Sequence, residues 1–335
     1  MRRNRITWHG RYDKMSETRT LDEAPTDAPL VSARGEGNNR REEREGDVED
    51  VGLHHIQLIV RPSTASEAWR LRTSDPGATR FLGGGIDVVL YTPETVTTLI
   101  DLSRVARVGV SEDRRGLSIG AGTTLSELLE AREAGSWVGG FLADVLRCVA
   151  SPLQRNVATV GGAAARAHPW SDVILAMLVL DAEVEVYDGV ARSVPAAEFY
   201  AARAQDVAPL ITAVRLPARP ASARGAFEKF GRTGFDVGLL NCACVAEMVR
   251  GMCRGVRVAV GGTPGLARRL SDVEGFLEAK RLSRETIAEA AMLAARIVDA
   301  RDDRRASETY RRTLTGVGIR RCLTQLAGIE GEGAL

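Results

Sequence analysis

Two glycine clusters, Gly83-Gly84-Gly85 and Gly161-Gly162, are the parts of this chain whose residue types suit chemistry on an anion. Glycine has no Cβ, so it takes up φ > 0 without strain and lets a ligand's oxygens reach main-chain N–H groups. The second pair lies in the stretch 150–172, ASPLQRNVATVGGAAARAHPWSD, where the backbone could close on a diphosphate. Two such loops could clamp one anion between them. A glycine pair taken alone is equally well an ordinary tight turn.

Charged and sulfur-bearing residues near these clusters define what else could act. Asp172 is either a binding carboxylate or the N-cap of a helix starting at Val173, and one oxygen could serve each role. Lys229, in FEKFGR, is either a pocket cation or a solvated lysine on a strand. His168 precedes Pro169 and reads as a loop residue rather than a base, and no acid, base or nucleophile is assigned to the protein. Cys148, Cys242, Cys244, Cys253 and Cys322 are odd in number and scattered, with no C-x-x-C pair. That pattern argues against a disulfide framework, a zinc site or an iron–sulfur cluster and fits inert thiols in a reducing cytoplasm. No G-x-G-x-x-G follows a strand and no G-x-x-x-x-G-K-S/T loop occurs, so a separate NAD or ATP domain is not supported.

The elements that must hold these residues come from a chain of 335 residues, long enough for two or three packing units. With 45 Lys and Arg against 44 Asp and Glu, no global field draws it to nucleic acid or an acidic membrane. Its longest apolar run, 173–180, is far short of the roughly 20 residues that span a bilayer. Residues 1–52 are polar, with little aliphatic periodicity, and are expected to form a disordered tail. Arg2-Arg3 lacks the apolar stretch of an export signal, and Met15 is a second candidate start.

From Ile56 the pattern becomes globular. Strands are expected at 56–60, 79–82, 88–90 and 98–102, with a helix after Thr64, forming one small βαβ-like unit over 53–108. A second unit over 109–217 should hold a strand at 117–120, a helix from Thr124-Leu125-Ser126-Glu127, a capping box, to about 134, and a buried helix over 173–180. A hairpin turning at Asp188-Gly189 and a strand over 211–216 complete it. The stretch 218–224 reads as a linker. Beyond it, 225–328 should form an antiparallel meander of strands near 227–230, 238–248 and 256–260. Helices over 272–279, 284–300 and 310–326 follow, the first two capped by Ser271 and Ser283, before a short tail at 329–335. Gly316 and Gly318 in the last helix should each cost about 1 kcal/mol relative to Ala.

The wording of the two glycine segments resembles one known family. Leu82-Gly83-Gly84-Gly85-Ile86-Asp87-Val88 is similar to its L-A-G-G-T-D-L. Ala150-Ser151, Arg155-Asn156, Thr159-Val160-Gly161-Gly162-Ala163, then Ala167, Pro169 and Asp172, are similar to its A-S-x-x-x-R-N-x-x-T-x-G-G-N and A-x-P-x-x-D. The family is that of the FAD-binding medium subunits of molybdenum hydroxylases, the flavoproteins of xanthine dehydrogenase and aerobic carbon monoxide dehydrogenase, and the likeness spans about 56–327. It implies an α+β chain: a two-subdomain FAD-binding fold of the PCMH/VAO type, then a C-terminal domain of antiparallel sheet plus helices of the CO dehydrogenase flavoprotein type.

By the same resemblance, one non-covalent FAD would be held by Leu82, Gly83, Gly84, Gly85, Ile86 and Asp87 and by Thr159, Val160, Gly161, Gly162 and Ala163, with Asp172, Ile211 and Lys229 around the flavin. Ile86 stands where the family prefers Thr, and Ala163 where it prefers Asn or Ser. Each departure removes one hydrogen bond, worth about 0.5–1.5 kcal/mol. The implied function is an electron relay in the cytoplasm. A small subunit with 2Fe–2S clusters would deliver electrons, a large molybdenum-pterin subunit would oxidise the organic substrate, and the assembly would be a dimer of heterotrimers. The cysteine-rich insertion that gives some members an extra cluster is missing here. Two other readings stay open: a free-standing FAD oxidoreductase, and an assembly subunit that has lost its flavin.

Overall fold

The computed structural model describes residues 53–166, 168–202 and 208–329. The expected tail over 1–52, Arg2-Arg3, Met15, Ala167 and residues 330–335 lie outside these.

The first glycine segment is carried by a small parallel sheet. Its elements are β1 (Leu58–Val60), α1 (Ala65–Ser74), β2 (Thr79–Leu82), α2 (Ile86–Tyr91) and β3 (Thr98–Asp101), with strand order β1-β3-β2. Thr64 starts α1 by accepting from the Glu67 N–H, as a hydroxyl at an N-cap should. β2 runs directly into Gly83-Gly84-Gly85. Residues 88–90 do not continue as a strand; they belong to α2, which Gly85 opens in the left-handed conformation at φ 84°. Val88 and Val89 favour a strand locally, but once glycine turns the chain, Val88 packs from α2 into one apolar cluster with Leu82 of β2.

The second unit comprises β4 (Val110–Asp113), β5 (Gly116–Gly120), α3 (Leu125–Glu130), α4 (Arg132–Ser136), α5 (Phe141–Cys148), α6 (Pro152–Arg155), α7 (Val160–Arg166), α8 (Asp172–Val179), β6 (Glu183–Tyr187), β7 (Ala191–Pro195), α9 (Ala196–Ala201) and β8 (Leu210–Pro217). Its five strands form an antiparallel sheet ordered β4-β5-β8-β6-β7. The capping box at Thr124 forms: the Glu127 N–H donates to Thr124 Oγ1, and the Glu127 carboxylate accepts from the Thr124 N–H. The expected single helix breaks at Ala131, whose extended backbone lets it pack on the core, so α3 and α4 are separate. A second capping box, Ser151 with Gln154, begins α6.

Gly161-Gly162 is not a turn but the first turn of α7. Gly161 is required there because a Cβ would stand 2.7 Å from the Ala121 Cβ. Helix α8, the expected buried run, is capped by Ser171 accepting from the Ile174 N–H, so Asp172 is not the cap but the first helical residue. α8 packs against α5, α7 and α9 and also against β10 (Leu240–Val249), β11 (Met252–Gly261) and β12 (Arg268–Arg269), introduced here with β9 (Ala223–Phe230).

These last four strands make an antiparallel sheet ordered β12-β11-β10-β9, the meander expected from the sequence, and residues 218–222 connect it to β8. Three helices follow: α10 (Ser271–Leu277), α11 (Arg284–Ile297) and α12 (Glu308–Ala327). Ser283 caps α11, whereas Ser271 is already helical and Leu270 precedes it without a side-chain cap. Gly318 sits where α12 meets the sheet; a Cβ there would be 2.7 Å from Cys242 Sγ and 3.0 Å from Phe230 Cε2. Asp181, at the end of α8, accepts from Arg219, Arg257 and Arg269 at 2.6, 2.8 and 2.9 Å, tying the second unit to the third.

Candidate functional site

A cavity of about 840 Å³ runs between the units, in the upper part of the roughly 300–1,000 Å³ usual for cofactor pockets. One wall is backbone. Gly83, Gly84 and Gly85 with Ile86 and Asp87, and Thr159, Gly162 and Ala163, all line it. The two segments touch: a Cβ on Gly84 would collide with the Val157 carbonyl, and Cβ atoms on Gly83 or Gly162 would each stand 3.0 Å from Thr159 Oγ1. Glycine is thus needed both for the crossing and for keeping the wall low.

The N–H groups of the two segments are used differently. Those of Val160, Gly161 and Ala163 donate to the carbonyls of Thr123, Ala121 and Thr159 at 2.8, 2.8 and 2.9 Å, and Gly162 donates to Thr159 Oγ1 at 3.1 Å. In contrast, α2 has no side-chain cap, so its first-turn N–H groups, which no helical carbonyl can accept, are the wall's available donors. Thr159 holds the one hydroxyl among these wall residues. Ile86 and Ala163 bring only carbon, as the sequence indicates.

The other end is charged. Lys229 on β9 lies opposite Asn241 on β10, and both reach Asp172 at the start of α8. Lys229 Nζ donates to Asp172 Oδ2 at 2.7 Å and to the Cys148 carbonyl at 2.8 Å. Asn241 Nδ2 donates to Asp172 Oδ1 at 2.7 Å and to the Trp170 carbonyl at 3.3 Å. The side chains of Asp172 and Lys229 are only 5% and 11% exposed. Burial pushes the Asp172 carboxyl above its ordinary value, opposed by Lys229 and Asn241. Lys229 is therefore a paired pocket cation, not a solvated strand residue. Asn241 was not singled out from the sequence, although an amide inside the run Leu239-Leu240-Asn241-Cys242-Ala243 is a signal that a buried group needs a donor.

Between the ends, His168 Nε2 lies 2.9 Å from Asp87 Oδ1, and Arg166 Nε lies 3.7 Å from the same oxygen. The imidazole stacks on Trp170 with ring centres 4.8 Å apart and meets the edge of Tyr91 at 5.8 Å. Of the residues expected around a cofactor, Leu82, Val160, Gly161 and Ile211 do not line the cavity. Leu82 packs beneath the first segment, and Val160 and Ile211 belong to the core of the second unit. Among the described residues no cluster of His, Cys, Asp and Glu could hold a metal ion, and no helix is long and apolar enough to cross a membrane.

Two families of known proteins match this chain. "FAD binding domain in molybdopterin dehydrogenase" covers residues 54–219, and "CO dehydrogenase flavoprotein C-terminal domain" covers 225–326. The carbon monoxide dehydrogenase medium chain of Afipia carboxidovorans is 29% identical over 277 residues, covering 78% of this chain and 94% of that one. The nicotine 6-hydroxylase medium subunit of Paenarthrobacter nicotinovorans is 31% identical over 185 residues, covering 53% and 64%. In structure, the chain is similar to one from reconstituted CO dehydrogenase of Oligotropha carboxidovorans, with a TM-score of 0.75 and 26% identity over 82% of this chain and 98% of that one.

Proposed function

Because this chain belongs to the family of FAD-binding medium subunits of the molybdenum hydroxylases, we infer that its cavity holds one FAD non-covalently and that the chain relays electrons between partner subunits and an external acceptor. The observation that carries this is a single cavity joining a glycine wall to a buried Lys229–Asp172 pair. The fit is chemical as well as spatial. The backbone of Gly83, Gly84 and Gly85 and the free N–H groups of Ile86 and Asp87 suit a diphosphate, and Thr159, Gly162 and Ala163 close the opposite side. Leu82 and Gly161 support this wall by packing beneath it against Val88 and Ala121, while Val160 and Ile211 serve the core of the second unit. Asp172 and Lys229 offer a fixed carboxylate and ammonium to a polar ring system.

When bound, FAD supplies an isoalloxazine that accepts and releases electrons; the protein orients it, shields it and sets its potential. Lys229 is placed for the last task. Its Nζ uses two of three protons on Asp172 and Cys148, which keeps an ammonium fixed at the cavity's end. The partners we infer are a small subunit with 2Fe–2S clusters and a large molybdenum-pterin subunit, in a dimer of heterotrimers in the cytoplasm. The units over 53–217 and 225–328 serve as FAD-binding and C-terminal domains.

The test is co-expression with candidate partner subunits, size-exclusion chromatography, metal analysis and acid precipitation of the assembly. Iron and molybdenum should co-purify, and all flavin should appear in the acid supernatant. Ile86 and Ala163 favour one second reading, an assembly subunit without flavin, and a complex that carries its metals but no flavin would establish it.

A further inference from the structure

We propose that His168 is a positioning residue of the cofactor site: its imidazole covers the charge of Asp87, so that the glycine wall of the cavity can accept a diphosphate. This rests on the reading that the cavity takes FAD.

Asp87 is in the first turn of α2, two residues after Gly85, and lines the cavity together with Gly83, Gly84 and Gly85. A carboxylate at that place opposes an anionic ligand, because like charges repel most where water is thin. The structure answers the problem from the other segment. His168 Nε2 stands 2.9 Å from Asp87 Oδ1, and since a carboxylate only accepts, that nitrogen carries the proton. Arg166, 3.7 Å from the same oxygen, adds positive charge. The ring is fixed rather than free. Trp170 lies parallel to it, 4.8 Å away and tilted by 11°, Tyr91 meets its edge, and Arg166 lies over Tyr91 at 4.7 Å. A hydrogen bond held in that way draws the Asp87 oxygen toward His168. It also matters more here than it would on a wall with hydroxyl or amide donors, because Ile86 and Ala163 supply none.

A plain structural latch between the segments would look the same in a static view but behaves differently on mutation. FAD dissociation constants are measured on the assembled complex, from the fluorescence of free flavin after ultrafiltration, with thermal unfolding as a control. His168→Phe, which keeps a stacked ring, should weaken FAD by about tenfold or more, the loss of a hydrogen bond to a charged group. His168→Gln, which keeps an N–H, should recover most of that. Asp87→Asn should bind FAD no more weakly than wild type, and His168→Phe combined with Asp87→Asn should restore affinity. A latch predicts instead that Asp87→Ala, which has no oxygen to accept from His168, loses as much as His168→Phe, whereas relief of charge predicts that it binds FAD as tightly as Asp87→Asn; that loss, or wild-type affinity in His168→Phe and His168→Gln alike, overturns the proposal. Flavin present in wild type with unchanged variants removes only this inference, whereas a wild-type complex without flavin removes the reading beneath it as well.

Discussion

A carboxylate that is only 5% exposed must find a cation or take up a proton, and Asp172 has found Lys229 on the facing strand. Replacing one partner of such a pair leaves the other buried alone, so Lys229→Met should destabilise the fold by about 3–5 kcal/mol in urea unfolding. The pH dependence has a definite sign. Burial already raises the Asp172 carboxyl above its ordinary value, and removing the ammonium raises it further. A group raised on folding contributes stability below its unfolded pKa and loses it as pH rises through the folded one. The deficit of Lys229→Met relative to wild type should therefore be smaller at about pH 5 than at about pH 8. The thiols obey the same desolvation rule. Burial pushes Cys253 up to about 11 and Cys242 and Cys322 well above the usual thiol value, and it raises half-buried Cys148 less far. Ellman's reagent at about pH 8 should react with the native chain slowly at Cys148 alone, and with the other four only after unfolding. Asp172 and Lys229 were legible in the sequence because they stand at fixed places in recognisable wording. Asn241 and His168 acquire their roles only through contacts distant in sequence, Asn241 with Asp172 69 residues away and His168 with Asp87 81 residues away, and Trp170 does so by stacking on the imidazole that the second contact places.

Glycine positions test the elements. Gly318→Ala on α12 gains about 1 kcal/mol of helix propensity, but its Cβ would press on Cys242 Sγ at 2.7 Å inside the sheet. Overpacking of that kind costs about 1–3 kcal/mol, so the substitution should destabilise. A Cβ at Gly316 would meet the Ala295 Cβ at 3.4 Å and the Ala291 carbonyl oxygen at 3.5 Å, ordinary contact distances, so in Gly316→Ala the propensity gain should prevail. Denaturant unfolding of the two variants should move in opposite directions. The same reasoning explains why α1, α3, α11 and the meander were legible while α2 and α7 were not. Capping residues such as Thr64, Thr124 and Ser283 act locally and can be read from sequence. Val88-Val89 and Gly161-Gly162 disfavour a helix locally, and only packing against Leu82 and Ala121 overrides that preference.

At the scale of the molecule, the buried helix α8 packs between the helices α5, α7 and α9 of the second unit and the sheet of the third, and the cavity opens beside its first residue. The order of the units could be read from strand and turn signals. Their mutual arrangement could not, because it depends on long-range pairs such as Asp181 with Arg257 and Arg269. If this cavity binds FAD through its glycine wall, a side chain at Gly162 should block it. Gly162 has no positive φ and sits in a helix, so valine can adopt its backbone, yet the branched side chain would enter the cavity beside Thr159. The decisive measurement is the flavin released by acid from the assembled complex, wild type against Gly162→Val, at matched thermal stability. Wild type should release one FAD per chain and the variant far less. Equal flavin content in both would show that the glycine wall does not hold FAD.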